Sequence, residues 1–272
     1  IEDWEVEKMR EDKVNLLCKI ATVITFIFIL APMVIIAVGS FNSGGAISFP
    51  PEGVSLRWYE NIFTGHTDFP TGFVNSIKVA VVATAFDIFI GVFASLCVTK
   101  YDFKGRGLLI AFFTSPMFIP SISFAFVLMR TTASIRMFTP FIKILIGHIV
   151  IILPYIIRNT VSILVNFNWS VEDAAASLGA NPAQVFFKIT LPLIKPGIIS
   201  GGMLAFLYSF DEAVISSFLT SAKFMTLPIQ IINYMEFQFD PTVAAISTIL
   251  MGASLIIMLL INKFVGLDSM IN

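Results

Sequence analysis

Charge is scarce in this 272-residue chain. Only 13% of its residues are Asp, Glu, Lys or Arg, against about 25% in an ordinary soluble domain. The 17 basic and 18 acidic side chains nearly cancel, and no basic patch is interleaved with aromatics, so nothing points to nucleic acid. Cysteine is limited to Cys18 and Cys97, both in or beside hydrophobic runs and without a CxxC pair. That excludes a disulfide framework or a cysteine metal site and leaves two small apolar residues. The two histidines, His66 and His148, have no partner at ligand spacing and are expected to be structural. The chain also lacks a GxxxxGK[ST] phosphate loop, an HExxH helix and a Ser/His/Asp set. Without these it carries no engine for ATP hydrolysis and no recognisable catalytic constellation, and no cofactor is expected on it.

Apolar residues make up 57% of the chain and the mean hydropathy is +0.89, more apolar surface than a soluble globule of this length can hide. Crossing a bilayer as helix takes about 20 apolar residues. Six segments meet that need: Leu17–Ser40, Val74–Val98, Leu108–Met129, Phe141–Ile157, Pro196–Leu219 and Val243–Asn262. They are long and continuous, unlike the short alternating strands of a membrane barrel, so the expected fold class is an all-α membrane protein with one transmembrane domain over 17–262 and short tails at 1–16 and 263–272. The first apolar stretch, Ile20–Val38, is too long for a signal peptide and has no small-residue cleavage site behind it. Lys and Arg concentrate on the side that holds the N-terminus, the loop "TKYDFKGRG" at 99–107 being the clearest marker. The expected topology therefore places both termini and the 158–195 loop in the cytoplasm. Opposite, "SLRWYENIF" mixes aromatics and charge as an interfacial helix would, with Trp58 and Tyr59 as headgroup anchors. "TLPIQIINYMEFQFDP" reads as a partly buried outer helix leading into the last span.

The stretch "SVEDAAASLGANPAQVFFKITLPLIKP", residues 170–196, is the least membrane-like in the middle of the chain. Ser170 and Asp173 have the spacing of a capping box, and Glu172 and Asp173 place negative charge at the positive end of a helix dipole. Ala174–Ala176 favour helix with almost no bulk. Gly179 ends that helix where a left-handed residue is easiest, and Asn181-Pro182 restart a second one until Leu191-Pro192 stop it. A hairpin lying on lipid would carry several Lys or Arg on its polar face. This one has only Lys188, and its alanines suit close approach to another protein.

Asp173-Ala174-Ala175, then Gly179, Ile189 and Leu191-Pro192, resembles the cytoplasmic-loop signature of the permease subunits of binding-protein-dependent ABC importers, with every spacing kept. Asp173 stands where that family most often has Glu. The segments "FNSGGAISFPPEGVSLRWYENIF", Asn75-Ser76 and "YSFDEAVISSFLT" are similar to the second permease subunit of spermidine/putrescine importers. The resemblance implies a type I (MetI-like) permease fold in the bacterial inner membrane. It also implies ATP-binding-cassette ATPase partners that bind the ATP and Mg, a second homologous permease, an extracytoplasmic solute-binding protein and a small cationic solute. The family loop inserts into a groove on the ATPase. Carried over, Ala174, Ala175 and Gly179 permit close approach, Glu172, Asp173, Ile189, Leu191 and Pro192 belong to the same coupling element, and Phe186 or Phe187 plugs the groove.

Acids inside spans are costly and default to functional candidates. Asp87 in the second span, Asp211 and Glu212 in the fifth, and Tyr208 one turn before them are the candidates for a solute path. Pro116 and Pro120 break the third helix and free backbone carbonyls there. The competing class is an ion-coupled secondary transporter using Asp87 and Asp211. It would show an internal repeat with paired broken helices, and none is visible. An intramembrane protease using the same two aspartates would need a supporting motif, which is also missing.

Overall fold

The computed structural model describes residues 2–64, 68–135, 137–238 and 240–265, with side chains from 16 to 259; His66 lies outside the described residues. All its regular elements are helical: α1 (Glu2–Gly39), α2 (Arg57–Thr64), α3 (Phe69–Lys100), α4 (Arg106–Thr114), α5 (Ser121–Thr132), α6 (Pro140–Leu164), α7 (Ser170–Ser177), α8 (Pro182–Val185), α9 (Leu191–Asp211), α10 (Val214–Leu219), α11 (Leu227–Phe237) and α12 (Thr242–Val265). Five helical stretches are long and apolar enough to cross a membrane, or six if the bent pair α4 and α5 forms one span.

Two compact units divide the chain. The first comprises residues 1–67 and 235–257. Its α1 exposes Val23, Phe26, Phe28 and Leu30, as a helix with lipid or protein for solvent does. After α1, Asn42 organises a loop: its side-chain amide donates to Ala46 O and Ser48 Oγ, and its Oδ1 accepts from the Gly44 and Glu52 amides. The reading of Trp58 and Tyr59 as headgroup anchors is corrected here. Trp58 is buried and its Nε1 donates to Asn42 O at 2.7 Å, while Tyr59 pairs with Ser40 Oγ at 2.6 Å. Both side chains find their polar partners inside the chain.

The second unit comprises residues 68–234 and 258–272. Its core is built by α3, α6 and α9, joined by α5 and α10. Val79 and Ala83 meet Ala125, Ile144, Ile152 and Ala205 there. Small residues set the spacing, since helices in lipid associate through close van der Waals contact. Gly197 and Gly201, one turn apart on α9, press backbone against α6. A Cβ on Gly197 would sit 2.8 Å from Asn159 O, and one on Gly201 would sit 3.0 Å from Ile156 Cα.

Two expected boundaries move, and one expected break is found. The third span breaks at its prolines, as expected: α4 passes through a 3-10 turn at Ser115–Phe118 and meets α5 at 101°. Pro116 and Pro120 have no N–H to donate, and Ile119, preceding a proline, is driven to extended backbone (φ −88°, ψ 127°). The hairpin's second helix does not stop at Leu191-Pro192. A π-turn at Phe186–Thr190, closed by Leu191 N to Phe186 O, widens the helix where the proline ring would otherwise crowd the preceding turn, and the helical stretch runs from Pro182 to Asp211. At the far end the fifth span breaks at Glu212, whose backbone is extended (ψ 110°). Its carboxylate accepts from Ile215 N at 2.9 Å and so caps α10.

His148, buried on α6, spans that break. Its two ring nitrogens pair with Ser209 Oγ of α9 at 2.8 Å and Ser216 Oγ of α10 at 3.1 Å. The structural role expected for it holds.

Gly197→Ile is expected to destabilise the second unit by about 1–3 kcal/mol, because the added atoms meet backbone that cannot yield. Gly202→Ala meets only the flexible end of Ile88 at 3.2 Å and should cost far less. Thermal midpoints of the two variants in mild detergent, read by size-exclusion fluorescence, test that order.

Candidate functional site: a surface hairpin and a polar stripe

The hairpin closes by backbone geometry. Helix α7 ends in a Schellman turn: Ala180 N donates to Ala175 O at 3.1 Å and Gly179 N to Ala176 O at 2.9 Å, with Gly179 at φ +87°. Asn181 then caps α8 in a reciprocal box with Gln184, at 2.9 and 3.0 Å. The box expected at Ser170 and Asp173 does not form. Asn168 Oδ1 takes the Ser170 amide and hydroxyl instead, at 3.1 and 2.7 Å, and Asp173 stays exposed. Asn168 went unnoticed because an Asx cap two residues upstream leaves no spacing signature once Ser170 offers one.

Glu172 is turned inward. It is buried on α7, forms an ion pair with Lys100 at the end of α3, and accepts from the Thr190 hydroxyl in the π-turn. One carboxylate thus ties the first hairpin helix to two core elements. Phe186 also packs inward, stacked on Phe93 of α3 at 5.8 Å, and Leu191 packs on the buried cluster of Val92, Leu164, Ile194 and Ile198.

Most of the other resemblance-derived residues face the surface: Phe187 is 64% exposed, and beside them Leu178 at the turn, not singled out from the sequence, is 90% exposed. Ala174 and Pro192 are exposed, and Ala175 and Ile189 are half-buried. A depression of about 340 Å³ lies beside the turn, lined by Ala175, Leu178, Gly179, Gln184, Lys188 and Ile189. A second groove, about 530 Å³, opens between α7 and the end of α3, with Lys100, Asp173 and Phe186 among its walls. Together these give a small-residue platform with two exposed apolar side chains, Leu178 and Phe187, the latter edge-on to Phe186, on a base fixed to the core.

The four path candidates separate. Asp87 is fully buried on α3, and neither carboxylate oxygen has a hydrogen-bond partner among the described residues. Glu212 is buried as the α10 cap. Neither presents surface to a solute in this conformation. Asp211 and Tyr208 do lie exposed on α9. Tyr208 packs against Tyr155 of α6 with ring centroids 5.2 Å apart, and below Tyr155 come Arg158, exposed, and Asn159, half-buried. Arg158 Nη1 donates to Met117 Sδ, in the bend between α4 and α5, at 3.8 Å. A stripe of Asp211, Tyr208, Tyr155, Arg158 and Asn159 therefore runs along the α6–α9 face. Tyr155 and Arg158 were not singled out from the sequence: an aromatic in a span reads as packing and a terminal Arg as a topology marker.

Comparison with known proteins places this geometry. Residues 87–266 match the family model of the binding-protein-dependent transport system inner membrane component. The chain is 28% identical over 241 residues to the spermidine/putrescine transport system permease protein PotC of Haemophilus influenzae, covering 87% of this chain and 91% of that one. It is 31% identical over 235 residues to the putrescine transport system permease protein PotI of Escherichia coli K12, covering 84% and 83%. Among solved structures, a bacterial ABC transporter involved in import of the acidic polysaccharide alginate superposes with TM-score 0.70 at 14% identity, over 96% of this chain and 97% of that one. The chain belongs to the family of binding-protein-dependent transport system inner membrane components and is a multi-pass membrane subunit of an ABC importer.

Proposed function

We propose that this permease imports a polyamine such as putrescine or spermidine, forming half of the passage with a second permease of the same fold. In this reading the 170–192 hairpin and both termini lie in the cytoplasm, and the hairpin docks on an ATP-binding-cassette ATPase that binds the ATP and Mg. An extracytoplasmic binding protein delivers the solute to the opposite side. The observation that carries the docking role is the exposed apolar pair Leu178 and Phe187 beside the Ala175–Gly179 depression. Covering such side chains contributes about 1.5–3 kcal/mol each, and the platform is shaped for a partner's groove. Phe186, stacked within its own chain, leaves Phe187 as the groove-filling residue. The polyamine assignment draws on the names of the relatives together with the exposed Asp211 and the tyrosine pair, since carboxylates and aromatic faces both attract ammonium groups.

Glu172 and Lys100 make the hairpin mechanically continuous with α3 and α9. Closure of the ATPase pulls on α7 and α8, and the pull enters the span through Thr190 and the π-turn without a flexible joint. The chain supplies leverage and a lined path, and the partner supplies hydrolysis.

The direct test is affinity purification from native membranes in mild detergent. A stoichiometric ATPase with a phosphate loop and a second permease are expected; a chain that purifies alone and stays stable would overturn the reading. Glu172→Ala should preserve membrane levels while lowering uptake relative to ATP hydrolysis, because Lys100 and Thr190 lose their common partner. The exchange Glu172→Lys with Lys100→Glu should recover part of the coupling. Gly179→Val should abolish uptake at normal membrane levels: nothing in the chain lies within 4 Å of an added Cβ, but a β-branched residue is strained at φ +87° and fills the docking surface. Wild-type uptake by that variant rejects the docking role.

A further inference from the structure

Arg158 is oddly placed for a topology marker. It sits near the end of α6, yet its guanidinium contacts Met117 in the α4–α5 bend. Helical side chains lean toward the N-terminus of their helix, so this one is carried away from the nearer membrane surface. The rise from Arg106 to Met117 puts the contact about 16 Å from the hairpin-side end of α4. Arg158 is exposed and has no carboxylate partner among the described residues; its one polar contact is a thioether sulfur. A lone guanidinium set among membrane-crossing helices is costly in hydrocarbon and fits a water-filled space. Its neighbours on the same face agree: Tyr155 one turn away, packed at a tilt against Tyr208 with centroids 5.2 Å apart, then Asp211 one turn beyond on α9.

Along the stripe the charge thus changes sign, from Asp211 through two aromatic rings to Arg158. We propose that Arg158 is the charge barrier of this half of the passage, a specificity-determining residue that holds cations on the Asp211 side until the helices rearrange. This rests on the passage lying along the α6–α9 face and on a cationic solute. A cation is drawn to the carboxylate and stabilised over the tyrosine faces. It is repelled one turn further on, as a positive side chain in a pore repels cations. The contact with Met117 couples the barrier to the bend: a shift of α4 against α6 removes the sulfur that orients the guanidinium and lets it swing aside. A passage that must hold back sodium and potassium while awaiting a rare organic cation has use for such a residue.

The test uses the complete importer, purified with its partner subunits and reconstituted in proteoliposomes. Passive efflux of rubidium ions is measured without ATP, beside ATP-driven uptake of labelled putrescine. Arg158→Gln should raise the rubidium leak by about tenfold, and Arg158→Lys should hold it at the wild-type level, separating charge from packing. An unchanged leak in Arg158→Gln, in a complex of normal composition, overturns the barrier. So does loss of putrescine uptake in that variant without any leak, which would make Arg158 a contact for an anionic group. Wild-type complexes that move no putrescine would sink the polyamine reading alone, since the rubidium leak still decides the role of Arg158.

Discussion

The Glu172 carboxylate holds this structure's two functions in register. It is buried at the foot of the hairpin and engages Lys100 from α3 and Thr190 from the turn that begins the fifth span. Removing it leaves the buried Thr190 hydroxyl without its carboxylate, at a cost of about 1–3 kcal/mol for a buried polar group, while Lys100, 39% exposed, is left to solvent. The larger consequence is geometric. Without that strut, α7 would hold to the bundle chiefly at its entry, where Phe167 and Trp169 pack on the cluster of Val92, Leu164, Ile194 and Ile198. A load on the Schellman turn would then bend the hairpin before it moved a span. On the proposed docking role, Ala174, Ala175 and Gly179 set how closely a partner can come, and Glu172, beside them, sets whether that approach is felt by the membrane helices.

The π-turn at Phe186–Thr190 does related work. A proline at position 192 ordinarily ends a helix, because it removes a hydrogen bond and crowds the carbonyl of the preceding turn. The wider turn absorbs both problems, and the helix continues into the bundle. It also rotates the side chains that follow: Thr190 faces Glu172, Ile194 and Ile198 face the core, and Gly197 and Gly201 face α6. A hairpin with a true joint at Leu191-Pro192 would hinge there. One continuous helix transmits displacement along its axis.

Much of this was legible in the residues, and the part that was not has a common cause. Hydropathy located the spans, because lipid demands continuous apolar helix, and the Ala-Gly-Asn-Pro punctuation of 174–182 located the turn and the restart. Pro116 and Pro120 announced a break without its angle. Misreadings arose wherever a local rule had a competitor that its own spacing does not announce. Ser170 lost its cap to Asn168, Pro192 was overruled by a π-turn, and Trp58 found Asn42 instead of headgroups. Glu212 became a cap because a helix break nearby left amides to satisfy. In each case a short-range signal was read correctly and then outbid by a partner that sequence spacing cannot reveal.

The acids make the same point for function. Composition and position give an acidic residue its depth in a span but not its azimuth, and azimuth decides its role. Asp87, Asp211 and Glu212 looked alike by depth. In the fold one is enclosed by helices, one caps, and only Asp211 meets a surface that a solute can share. The surface it meets is defined by what else faces the same way, Tyr208, Tyr155 and Arg158, none of them remarkable in isolation. Lipid would select against every polar member of that stripe, and a homogeneous cation pore would select against Arg158. The passage proposed for this chain, which attracts a cation and then stops it, accommodates all of them in the order in which they occur.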